Sequence, residues 1–207
     1  MKNLKKVLVV LVMTLIFSGL YINKPAMSYS SESSNATKML NYYRKQNYKA
    51  AQKYAKKLKN TKTDFSESKM SDDMIKAYVN VILNTPKKYL WGGVYFVDMD
   101  GDNKSEMILP YGTCEADVVA HVYKYKRGKT KKVGEFNFGH TLIANYPGHK
   151  GVICMTTHMG YEEVSTVYLK NKKIKQTNYG YRYVDNGKYL NLKPLNNHLT
   201  FNNKWDL

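Results

Sequence analysis

After Pro86 the chain breaks into short runs rich in Tyr, Val, Ile and Thr, separated by Gly and Asn turns. Runs of that length and composition fit strands, and their turns fit hairpins. Strands are expected near residues 94–97, 106–110, 118–125, 132–137, 141–145, 151–156, 165–169, 173–177 and 179–184. "KRGK", "KNKK" and "DNGK" have the composition of hairpin turns. A succession of hairpins makes an antiparallel meander, expected over residues 89–193. No fixed-period repeat is visible, so a complete propeller is not supported, and a partial-propeller-like sheet is expected.

Upstream the periodicity is helical. Leu40, Tyr43, Ala50, Ala51, Tyr54 and Leu58 recur at helical spacings, and most of the lysines from Lys38 to Lys57 lie off that stripe. Such a helix either meets an acidic surface or packs on the domain with a solvated basic face. "NTKTDFSES" separates it from a second helix. Ser71 is the expected N-cap there, with Asp72 and Asp73 in the first turn. Met74, Ile75, Tyr78, Val79, Ile82 and Leu83 form its apolar face, and Pro86 limits its end. The expected fold class is therefore α+β: two N-terminal helices (37–85) followed by the meander, in one domain spanning 37–207.

Residues 1–28 have a different character. "MKNLKK" is basic, "VLVVLVMTLIFSGLYI" is apolar, and Ala26 and Ser28 are small residues before a cleavage point. That order is a signal peptide, the alternative being an uncleaved anchor. Residues 29–36, rich in Ser, are expected to be a short linker. No later run is long and apolar enough to span a bilayer. The expected localisation is outside the cell, secreted or on the cell surface.

The formal net charge is +17. The leader holds Lys2, Lys5, Lys6 and Lys24 and no acid, so the mature chain keeps a strong positive excess. Partners expected of such a chain are an anionic cell-wall polymer or an extracellular protein. No specific nucleic-acid motif is present, and oligomeric state is not legible. The two cysteines, Cys114 and Cys154, are expected either to pair in an oxidising compartment or to serve as small buried hydrophobes.

Against this basic background, "FVDMDGDNKSEMIL" gathers four carboxylates within nine residues. With Asp98 as position 1, Asp100 and Asp102 take positions 3 and 5, Lys104 position 7 and Glu106 position 9. Alternate residues of a tight loop point inward. Calcium takes about six to eight oxygen ligands, commonly including a main-chain carbonyl at the seventh position, which Lys104 supplies. The oxygen-only donor set favours a hard cation over zinc or copper. Asn103, at position 6, tolerates the left-handed conformation such loops require. Leu109 stands where an EF-hand needs its bidentate Glu, and strands flank the loop, so this is not an EF-hand. The other reading is a polar turn that happens to be acidic.

"YFVDMDGDNKSEMIL" resembles the DxDGDGxxE strand-loop-strand signature of FG-GAP and VCBS-like repeats. It is also similar to a group of secreted proteins of Firmicutes in which a helix precedes such a loop and a Tyr-rich meander. The likeness is loose over residues 74–176 and tight over 98–109. It implies a Gram-positive exported protein with calcium held by Asp98, Asp100, Asp102 and Glu106. Asn103 departs from the second Gly of that signature, which bears on affinity.

No nucleophile elbow, phosphate loop or dinucleotide fingerprint is present, and no catalytic residue is assigned. His121, His140, His149, His158 and His198 show no paired ligand spacing. The expected function is a calcium-binding, non-catalytic binding or interaction module. The alternatives are a secreted hydrolase near His158, with Asp117 or Cys114, and a basic protein that binds a polyanion. N-terminal sequencing of the exported protein is expected to start between Met27 and Ser31; a mature chain still starting at Met1 refutes the leader.

Overall fold

A period of two buries both faces of a sheet differently, and here each face meets a separate layer. The computed structural model describes residues 29–59, 70–195 and 198–200. The proposed leader and the "NTKTDFSES" segment lie outside the described residues. Among the described residues three helices, α1 (Tyr29–Arg44), α2 (Tyr48–Lys59) and α3 (Asp72–Asn84), precede the sheets. The strands are β1 (Gly93–Val97), β2 (Glu106–Tyr111), β3 (Val119–Lys126), β4 (Lys129–Asn137), β5 (Thr141–Asn145), β6 (Val152–His158), β7 (Tyr161–Lys170), β8 (Lys173–Tyr183) and β9 (His198–Thr200). The class is α+β, helices first and antiparallel strands after.

The meander is not one sheet. Strands β1 to β4, with β9 added beside β1, form a five-stranded sheet in the order β4-β3-β2-β1-β9. Strands β5 to β8 form a second, in the order β5-β6-β7-β8. The chain changes sheet at Phe138–His140, where Phe138 N donates to Val118 O and His140 has φ 53°. The two sheets share a core that includes Val97, Ile108 and Val122 from the first and Val152, Cys154 and Val167 from the second. The alternate residues face outward to helices. Phe96, Met107 and Leu109 pack against Met74 and Tyr78 of α3. Ile153, Met155 and Val164 pack against Met39, Tyr43, Ala51 and Ala55 of the α1–α2 pair. The order of layers is thus helix pair, sheet, sheet, helix.

Several expectations are corrected. Residues 29–36 are the first turns of α1, not a linker, because Ala36, Met39, Leu40 and Tyr43 bury one face of it. That burial overrides the low helix propensity of its serines. The single helix expected over 37–59 is two helices. Gln46 takes φ 56°, and Asn47 Oδ1 then caps α2 by accepting from Ala50 N at 3.1 Å. The two strands expected over 173–184 are one strand with a bulge, for Val164 pairs with Gly180 and Ser165 with Asn178, leaving Tyr179 extra. "DNGK" is a 3₁₀ turn after β8 rather than a hairpin. Both "KRGK" and "KNKK" do close hairpins, with Arg127, Gly128, Asn171 and Lys172 at positive φ. Ser71 caps α3 as expected, accepting from Met74 N at 3.3 Å.

The two sheets are also joined by main-chain bonds at the β1–β2 loop. Asp98 O accepts from Gly151 N at 2.9 Å, and Met99 O accepts from Leu169 N at 2.6 Å. Gly151, which donates the first of these bonds, has φ +82°, and a Cβ there would overlap the Val167 carbonyl oxygen of β7 in its own sheet. Gly151→Ala is expected to lower stability by about 3–5 kcal/mol in urea denaturation. Gly128→Ala, also at positive φ but with open space around it, is expected to cost only about 1–2 kcal/mol. Equal losses would show that backbone strain alone, not the close approach of β7, demands Gly151.

Candidate cation site

The β1–β2 loop folds on its own aspartates. Asp98 Oδ1 accepts from Asp100 N at 3.2 Å and Gly101 N at 2.6 Å, while Oδ2 accepts from Asn103 N at 2.8 Å. Asp102 Oδ1 accepts from Lys104 N at 3.0 Å. Gly101 and Asn103 have φ 85° and 63°, so Asn103 takes the left-handed conformation expected of it. Glu106, at the first position of β2, turns back and accepts from Met99 N at 2.8 Å. From beneath, the Tyr78 hydroxyl of α3 donates to Ser105 O at 2.8 Å and accepts from Tyr125 N at 3.1 Å.

These bonds bring three of the expected carboxylates together. Asp98, Asp100 and Glu106 each offer an oxygen within 4.8 Å of the others. Asp102 is at the rim, 42 % exposed, and Lys104 is exposed beside it. Asp100 Oδ1 is buried without a hydrogen-bond partner among the described residues. An all-oxygen set with an unused buried oxygen fits a hard cation.

A cation already reaches three of these acids. Lys124 Nζ lies 2.6 Å from Glu106 Oε1, 2.7 Å from Asp100 Oδ2 and 3.0 Å from Asp102 Oδ2. Sequence reasoning missed Lys124. Its position follows from the β2–β3 register: Met107 pairs with Tyr123, which sets Glu106 and Lys124 side by side at the end of that ladder. Burial pushes the Glu106 carboxyl up to about 7, against the opposing pull of Lys124 and the Met99 N–H. For Lys124, burial works downward but the three carboxylates outweigh it and hold its pKa above the ordinary lysine value. Glu106 is only 1 % exposed, so its partner matters more than those of the half-exposed rim.

The other sequence candidates lie elsewhere. Cys114 is exposed in the β2–β3 turn and Cys154 is buried in β6; both are free thiols in the structure. Burial pushes the Cys154 thiol up to about 12. His158 stacks on His140 with ring centroids 4.1 Å apart, and His140 Nδ1 lies 3.1 Å from Glu115 Oε1. Asp117 instead serves its own turn, accepting from Thr113 N at 2.7 Å, from Cys114 N at 2.9 Å and from the Thr113 hydroxyl. Those bonds hold its carboxyl below the usual range. Among the described residues, no helix is long and apolar enough to cross a membrane. No protein family, curated protein or solved structure matches the chain.

Lys124→Met, measured in chelator, is expected to cost about 3 kcal/mol, because it leaves Glu106 buried without its counter-charge. Adding Glu106→Gln is expected to recover more than half of that loss. A double-mutant cycle in urea decides it, and additive losses would show that the two groups are not coupled.

Proposed function

We propose that this chain is an exported, non-catalytic binding module whose loop 98–106 takes calcium in exchange for the Lys124 ammonium. The observation that carries this reading is the convergence of Asp98, Asp100 and Glu106, with the buried Asp100 Oδ1 unused. The resemblance to secreted proteins with DxDGDGxxE loops supports the choice of ion and the location. Calcium supplies a divalent charge that several oxygens share. The chain's own contribution is the loop, prefolded by the Asp98 and Asp102 turns and anchored by Met99. The role is structural, because the same loop carries the bonds between the sheets.

A ligand that binds only the folded state stabilises it by RT ln(1 + [L]/Kd), about 2.7 kcal/mol at 100 Kd. In a domain of this size that is roughly 5–10 °C of melting temperature. Exchange against Lys124 reduces the gain, and weak affinity on the order of 0.1–1 mM is expected of an extracellular calcium module. Thermal melts of wild type in millimolar calcium are expected to exceed those in chelator by several degrees. Magnesium is expected to do less, since it resists dehydration. Asp100→Ala is expected to abolish the calcium shift. Identical wild-type melts in calcium and chelator would reduce the loop to an acidic turn neutralised by Lys124.

A further inference from the structure

An open cleft of about 630 Å³ lies between α2 and the segment that follows β8. Its basic side chains are Lys49 and Lys56 from α2, Arg182 from β8, and Lys188 beyond it; no Asp or Glu lines it. Arg182 is already matched. Its Nε donates to Glu162 Oε1 at 2.8 Å, its Nη2 donates to Lys188 O at 3.0 Å, and Glu162 is fully buried. The three lysines are exposed, and none forms a salt bridge among the described residues. The α2 segment YKAAQKYAKKLK holds no acid to neutralise them. The cleft therefore carries an uncompensated positive field over a fixed floor.

Two features define what fits it. Lys49 and Lys56 are two helical turns apart, roughly 10 Å along the axis. One compact anion reaches them singly, whereas a chain of repeating anions reaches both and Lys188 together. Tyr48 and the Tyr189 hydroxyl are already engaged. The Tyr48 ring lies under the Arg182 guanidinium at 4.7 Å and its hydroxyl donates to Tyr181 O, while the Tyr189 hydroxyl accepts from Gly160 N. Nucleobase readers of single strands use free aromatic faces for stacking, and Tyr48 does not offer its Arg-covered face.

We propose that this cleft binds a linear polyol-phosphate polymer through its repeating phosphodiester anions. The inference gives the binding module of the preceding section a partner class, and it does not depend on the calcium loop. Lysine ammonium groups act as point charges toward phosphate, so binding is weak per contact, multivalent and salt-dependent.

The test is a titration of the full mature chain with fluorescent poly(glycerol phosphate), at low and at physiological salt. K49E/K56E/K188E is expected to weaken binding at least about tenfold on electrostatic grounds. K131E/K173E/K175E reverses three exposed lysines outside the cleft, with the same net charge. It is expected to weaken binding less than about threefold. The neutral triple K49Q/K56Q/K188Q is expected to give an intermediate loss, and it guards against misfolding of the charge-reversed variant. Inorganic phosphate at the same phosphate concentration is expected not to compete. Asp100→Ala is expected to bind the polymer like wild type, which separates this proposal from the calcium reading. Equal losses from the cleft and control triples overturn it, as does full competition by inorganic phosphate. Tighter binding of a single-stranded oligonucleotide overturns it in favour of nucleic acid.

Discussion

The structure turns on two carbonyl groups. Asp98 O and Met99 O leave β1 and accept from Gly151 and Leu169 of the other sheet. Between them they join the two sheets through the main chain. Met99 itself is fully buried, and its N–H is held by the Glu106 carboxylate. A single residue thus contributes its side chain to the core, its carbonyl to the second sheet and its amide to the acidic cluster. The loop is acidic and strained because it must turn sharply at the place where two layers touch. Its aspartates satisfy amides that the turn would otherwise leave unpaired.

A second buried acid does comparable work in the other sheet. Glu162 on β7 accepts from Arg182 Nε and from Leu190 N, and its carbonyl accepts from the Tyr43 hydroxyl of α1. One glutamate position therefore holds a helix, the neighbouring strand and the segment beyond β8. These two strand glutamates each have a basic partner on an adjacent strand, Lys124 for Glu106 and Arg182 for Glu162. Each pair supplies the hydrogen bonds that a buried charge demands, and removal of one partner leaves the other exposed to the full desolvation cost.

The sequence showed what is local. Strand periodicity, the Ser71 cap and the left-handed Asn103 depend on neighbours a few residues away, and all are present in the structure; of the three aspartates, Asp98 and Asp100 converge while Asp102 stays at the rim. The features it concealed depend on long-range placement. The division of the meander at Phe138–His140 reflects which core the strands share, since hairpin composition is the same within a sheet and between sheets. The helical character of residues 29–36 comes from the burial of this helix in the core it shares with Ala144, Ile153 and Met155, not from propensity. Lys124 reads as one more lysine in "VYKYK" until the register of β2 on β3 sets it beside Glu106. The bridge considered for Cys114 and Cys154 had no local signature at all.

The Lys124 contact also bears on how the loop closes during folding. An ammonium carried on the chain is neither diluted nor dialysed away, and its local concentration is set by the 18-residue separation of Glu106 and Lys124. Closing the acidic loop with it is a reaction first order in the chain alone. Closed in this way, the loop draws no cation from the surrounding fluid.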